Sequence, residues 1–251
     1  MRIAAIADLH CTKNSAGTFQ PLVAALPERA DVLVLCGDLT DYGLPEEARV
    51  LAKELMSVRI PILGVLGNHD VEAGKAEEIV AILRDAGVDV LDGDAREIAG
   101  VGFVGVKGFA GGFGSHALGP WGEETIKRFV HEALDEALKL ETALARLRTA
   151  QRVALLHYSP IRATVEGEPL EILAFLGSSR LEEPLSRYPV DAVFHGHAHR
   201  GQLEGRTSGD VPVYNVAMPL LAAHFPGQPP IRFTEVPVSP LPPGSESRLI
   251  A

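Results

Sequence analysis

The sequence predicts a layered α/β fold, and three observations carry that expectation. Short apolar, β-branched runs recur along the chain, each stops at an Asp, Asn or His, and helical patterns fill the gaps between the early runs. A length of 251 residues suits one large α/β domain. At 46% hydrophobic and 22% charged residues the chain is neither disordered nor a collagen-like repeat.

Residues 3–7 stop at Asp8, 32–36 at Gly37-Asp38, and 60–66 at Gly67-Asn68-His69-Asp70. Later, 153–156 stops at His157 and 192–194 at His195-Gly196-His197. Unbroken apolar runs of this kind read as strands buried on both faces. Between them, Pro45 suits a helix start ahead of the stripe Ala48, Leu51, Ala52 and Leu55. A second helix is expected over 75–86, with Gly87 as its stop, and the longest over 122–148. The runs 101–106, 211–216 and 231–238 read as strands without long helices between them, which suggests a second, partly antiparallel sheet. Residues 108–122 form an uncharged, glycine-rich stretch holding Phe109, Phe113 and Trp121, and the segment from about 237 reads as a proline-rich surface tail.

Composition narrows the function. Lys+Arg total 23 against 33 Asp+Glu, a net charge of −10 that repels a phosphate backbone, so no nucleic acid duplex is expected as partner. Two cysteines, Cys11 and Cys36, make no disulfide framework. No signal peptide is read before the first strand, and the longest charge-free stretch, 211–231, carries five prolines, so no membrane span is read there. The expectation is a cytoplasmic protein.

Ligands of α/β sheets bind just past the carboxyl ends of the strands. There the chain places Asp8-Leu9-His10, Gly37-Asp38-Leu39-Thr40-Asp41, Gly67-Asn68-His69-Asp70, His157 and Gly196-His197-Ala198-His199. A cluster of Asp, Asn and His without Cys or Met suits Mn, Fe, Zn, Co or Ni. Strand alternation would turn residues i and i+2 of Asp-x-His toward one ion, and a carboxylate such as that of Asp38 can bridge two. Asp41 suits a turn residue as well as a site residue, and Cys11 and Cys36 suit small buried side chains.

The order D-x-H, G-D-x-x-D, G-N-H-D, H and G-H-x-H resembles the calcineurin-like metallophosphoesterase superfamily, in particular its bacterial class III cyclic-nucleotide phosphodiesterase branch. The resemblance implies a four-layer α/β/β/α sandwich with two mixed β-sheets; the chain reads as a single domain over 1–251, and its 108–148 stretch departs from the family pattern and reads as an insertion. The resemblance implies Asp8, His10 and His199 on a first divalent metal, Asp38 bridging, and Asn68, His157 and His197 on a second, with Mn or Fe foremost. It further implies His69 as proton donor to the leaving oxygen, Asp70 orienting the His69 ring, and a metal-bridging hydroxide as nucleophile. The expected activity is hydrolysis of a small phosphoester, a phosphodiester before a monoester. A nuclease would need a basic groove, and a non-enzymatic scaffold would not need His69.

Overall fold

The structure is a computed structural model that describes residues 1–24 and 26–238. In chain order its elements are β1 (Arg2–Ile6), α1 (Gln20–Ala24), α2 (Leu26–Arg29), β2 (Val32–Cys36), α3 (Pro45–Leu55), β3 (Ile62–Val65), α4 (Asn68–Val71), α5 (Ala76–Asp85) and β4 (Val88–Val90). Then follow β5 (Asp94–Ile98), β6 (Val101–Gly105), α6 (Glu124–Arg146), β7 (Gln151–Leu155), α7 (Glu182–Arg187), β8 (Ala192–His195), β9 (Glu204–Arg206), β10 (Pro212–Asn215), α8 (Met218–His224) and β11 (Arg232–Glu235).

Two mixed sheets form, in the orders β11-β1-β2-β3-β4 and β5-β6-β7-β8-β10-β9. The strands that end in site residues are parallel to their neighbours, β1 to β2 to β3 and β7 to β8, so their carboxyl ends share one edge in each sheet. Alternation on β1 shows why the runs are apolar throughout. Ile3 and Ala5 face the other sheet, packing with Phe103, Val153 and Phe194, while Ala4 and Ile6 face α3 and α5. The second sheet repeats this, with Val104, Ala154 and Val193 against Leu140 and Leu144 of α6. The layers are therefore helix, sheet, sheet, helix, as expected.

Three readings change. Strand β11 does not join the second sheet; it pairs antiparallel with β1 and closes the first. The 108–148 stretch lies between β6 and β7, and its helix supplies the outer layer of the second sheet. Along α6 the apolar residues keep a 3.6-residue period that predicts a buried stripe including Ile126 and Leu138, yet those two are exposed, while Glu136 is buried because its carboxylate accepts the Gly108 N–H at 2.7 Å and binds Lys139 at 2.7 Å. The tail reading falls outside the described residues beyond 238. Among the described residues, no helix is long and apolar enough to cross a membrane.

Candidate metal centre

Past β1 and β2 the chains keep pairing: His10 N–H donates to the Asp38 carbonyl at 3.0 Å, and Cys11 N–H to Leu39 at 3.1 Å. The backbone there is not extended. Asp8, His10 and Asp38 have φ of +57°, +42° and +49°, the left-handed region that costs most residues free energy. Asp8 and His10 are thus brought to one side by left-handed turns rather than by strand alternation. His197, at φ +71°, sits inside a three-residue turn closed by Ala198 N–H to the Gly196 carbonyl at 2.8 Å, the rarer and strained hand of that turn. Two motif glycines leave the room this requires. A Cβ on Gly67 would lie 2.1 Å from Asp38 Oδ1, and one on Gly196 would lie 2.5 Å from Asp8 Oδ2.

All seven expected ligands converge. The donor atoms of Asp8, His10 and His199 lie within 4.8 Å of one another, as do those of Asp38, His157 and His197. Asn68 Oδ1 joins the second group 2.9 Å from His157 Nε2. Asp38 Oδ2 lies between the groups, 3.9 Å from His10 Nε2 and 3.4 Å from His157 Nε2. Among the described residues, Nε2 of His10 is buried without a hydrogen-bond partner, a costly state for a polar atom unless something further binds it. A divalent ion fits this donor set.

Outer contacts orient the rings. His157 Nδ1 meets the Cys36 carbonyl at 3.0 Å, and His197 Nε2 the Phe175 carbonyl at 3.2 Å, bonds of the kind that fix ligating imidazoles. Burial opposes a charge on His157, yet the Asp38 carboxylate overcomes it and pushes the imidazole up to about 9. In return, despite its own burial, Asp38 is held well below the usual carboxylate range by His157. Burial, reinforced by His157, lowers His197 to about 4. His199 is raised chiefly by its hydrogen bond to Asp8 at 3.1 Å.

His69 stands beside this cluster, its ring 4.5 Å from that of His10. Its backbone N–H donates to Asp38 Oδ1 at 2.9 Å, and its Nδ1 lies 2.6 Å from the Asp41 carbonyl. The expected orienting partner, Asp70, does not touch that ring. Fully buried, it accepts the N–H groups of Leu39, Thr40 and Gly67 and the Thr40 hydroxyl at 2.7–3.1 Å, which fixes the two turns carrying Asp38 and Asn68. Asp41 does the orienting, and its carboxylate also reaches His10 Nδ1 at 3.3 Å.

His195 lies behind the centre, bonded through Nε2 to Thr164 Oγ1 at 2.8 Å, and burial lowers it to about 4. Both cysteines are buried, and burial pushes the Cys11 thiol up to about 12 and raises that of Cys36 strongly. His116, His131 and His224 are exposed. Of the loop aromatics, Phe109 packs on Phe129 of α6 at 4.9 Å, Phe113 packs against a small cluster around Val165, and Trp121 is exposed. Sequence reasoning missed Phe175 and Tyr158, whose ring lies 4.5 Å from that of His197. Only the place of Tyr158, next to His157, signalled it.

Two sheets meeting at an edge of histidines and carboxylates define a metallophosphoesterase. A family model described as calcineurin-like phosphoesterase matches residues 1–201, and the chain belongs to that family of metal-dependent phosphoester hydrolases. It is 33% identical over 108 residues to the uncharacterized protein MJ1162 of Methanocaldococcus jannaschii, covering 43% of this chain and 44% of that one. It is 38% identical over 64 residues to the glycerophosphodiester phosphodiesterase GpdQ of Enterobacter lignolyticus, covering 26% and 23%. The chain thus spans less than half the length of these curated relatives. Among solved structures, the phosphopantetheinyl hydrolase PptH of Mycobacterium tuberculosis shares the fold at a TM-score of 0.67 and 17% identity, over 96% of this chain and 98% of that one.

Proposed function

We propose that the chain is a dinuclear-metal hydrolase acting on a small phosphodiester. The unpartnered Nε2 of His10, buried beside Asp38, carries this reading: a folded chain leaves such an atom bare where an ion is to bind. In this reading Asp8, His10 and His199 hold one ion, Asn68, His157 and His197 the other, and Asp38 both, with Mn or Fe as the expected metals. Two divalent ions held there supply charge stabilisation for the phosphoryl group and a water made nucleophilic near neutral pH. The residues do the rest. Asp41 fixes the His69 ring, and His69 gives the leaving oxygen its proton.

The diester assignment rests on charge. A dianionic monoester calls for a cation on its extra oxygen. The basic residues nearest the motifs in sequence, Lys13, Arg162 and Arg200, are all exposed, and Arg162 pairs with Glu166 at 3.7 Å. The name of the GpdQ relative, a phosphodiesterase, agrees with it. The test is kcat/KM with Mn for bis(4-nitrophenyl) phosphate against 4-nitrophenyl phosphate at one pH. Preference for the diester is expected, and a clear monoester preference overturns the assignment.

A further inference from the structure

The inward face of β6 carries Phe103 and Gly105 into the layer between the sheets, where a Cβ on Gly105 would lie 2.7 Å from Val65. Lys107 follows two residues past the strand end, and its ammonium lies among residues packed on the α6 side. Lys107 is tied to the candidate metal centre through the backbone of His157. Its backbone carbonyl accepts the N–H groups of His157 at 3.0 Å and Tyr158 at 3.1 Å.

The Lys107 ammonium lies 5.3 Å from the Tyr158 ring centre and 5.0 Å from that of Phe109. From His197 an aromatic series runs through Tyr158 to Phe109 at 5.9 Å, Phe129 at 4.9 Å and Phe175 at 6.3 Å, and the Phe175 carbonyl returns to His197. Phe175 is 55% exposed, so part of this wall faces solvent beside the metal centre. The ammonium itself is half-buried and, among the described residues, bonds only the Gly108 carbonyl at 3.0 Å, with no carboxylate within 4 Å. Glu136, the acid acting on it most strongly, is already committed to Lys139 and to the Gly108 N–H. A lysine withdrawn from water without a carboxylate partner is uncommon in folded proteins. The other charges acting most on it, Glu132, Lys139 and Asp92, sit on α6 and between β4 and β5 rather than among the ligands. The ammonium therefore lies on the α6 side of Tyr158, away from the ligand carboxylates.

We infer that Lys107 and the wall of Tyr158, Phe109 and Phe175 form the subsite for the organic arm of the substrate, and that this arm has an apolar or aromatic body bearing a second negative charge. The inference rests on the phosphodiesterase reading. The arm lies along the aromatic wall, and its anion meets the ammonium in a charge-assisted hydrogen bond.

Two synthetic diesters separate the two readings: 4-nitrophenyl phenyl phosphate and its 4-carboxyphenyl counterpart. They differ only by a carboxylate on the arm, and both release nitrophenolate. The Mn-loaded protein is expected to favour the carboxylate ester by about 10-fold in kcat/KM, mostly through KM. Lys107→Met should abolish that preference, and Lys107→Arg should keep most of it. No preference in the unaltered protein, or an equal loss on both esters in Lys107→Met, overturns the subsite. A Lys107→Met loss confined to 4-nitrophenyl phosphate would put the ammonium on the phosphoryl group and overturn it as well. Hydrolysis of neither diester would instead remove the phosphodiesterase reading, and the subsite with it.

Discussion

The backbone carbonyl of Asp41 lies 2.6 Å from Nδ1 of His69. A carbonyl only accepts, so Nδ1 carries the proton, and the remaining nitrogen, Nε2, is the one free for chemistry. A ring pinned this way by the main chain keeps its orientation whatever side chain stands at position 41.

His69→Asn should therefore retain the metal content while lowering kcat on esters of poor leaving groups by roughly 10² to 10⁴, the usual worth of general acid catalysis. The loss should shrink for nitrophenyl esters, whose leaving group needs no proton. Steady-state kinetics across a leaving-group series checks this, and an equal loss throughout would contradict the proton-donor role.

Asp38→Ala should lose both ions together, since its carboxylate lies between the two donor groups. Elemental analysis of gently purified protein measures this. A variant that keeps one full equivalent would show that Asp38 serves a single ion.

Asp70→Ala should destabilise the protein by about 3 kcal/mol or more, because it strands the buried N–H groups of Leu39, Thr40 and Gly67 together. Denaturant unfolding of the purified variant is the measurement. A change under about 1 kcal/mol would mean that water or a shifted turn satisfies those donors.

The Asp38–His157 pair predicts opposite pH responses for metal-free stability and metal uptake. With its pKa raised from 6.5 to about 9, His157 contributes stability that is full below 6.5 and lost as pH rises through 9. The lowered Asp38 contributes stability above its unfolded value near 3.8 that is lost on acidification through its folded value. A metal takes only the neutral imidazole, so affinity for Mn²⁺ should climb between pH 6.5 and 9 as chelator-treated protein loses stability. Titration calorimetry in two buffers should also register proton release on binding, and none at pH 7 would reject the paired state.

The candidate ligands were legible because each stands where an apolar run breaks off, a position that marks Asp8, Asp38, Asn68, His157, His197 and His199 in the sequence itself. The division of labour between Asp41 and Asp70 was not. Both are acids in turns, and only the folded chain decides that one works through its carbonyl while the other is consumed by three amides. Edge strands also escaped: β5 (DAREI) and β9 (EGR) are polar and partly exposed, so neither alternation nor an apolar run announces them. The placement of β11 beside β1 joins residues more than 225 positions apart, and no local pattern encodes such a partner. Lys107 was hidden for a similar reason, since its environment is assembled from α6, the 108–122 loop and Tyr158.

Both carboxylate oxygens of Asp8 accept the backbone N–H of His197, at 3.1 and 3.0 Å, across 189 residues. On a ribosome adding about 5–20 residues per second, Asp8 is made roughly 10 to 40 s before its partner. Strand β1 waits longer still, because its other neighbour, β11, is among the last residues described. A nascent chain presents Asp8, His10, Asp38 and Asn68 well before His157, His197 and His199 of the second sheet exist to complete the two groups they belong to. The full seven-residue candidate centre can therefore assemble only after residue 199 has been made.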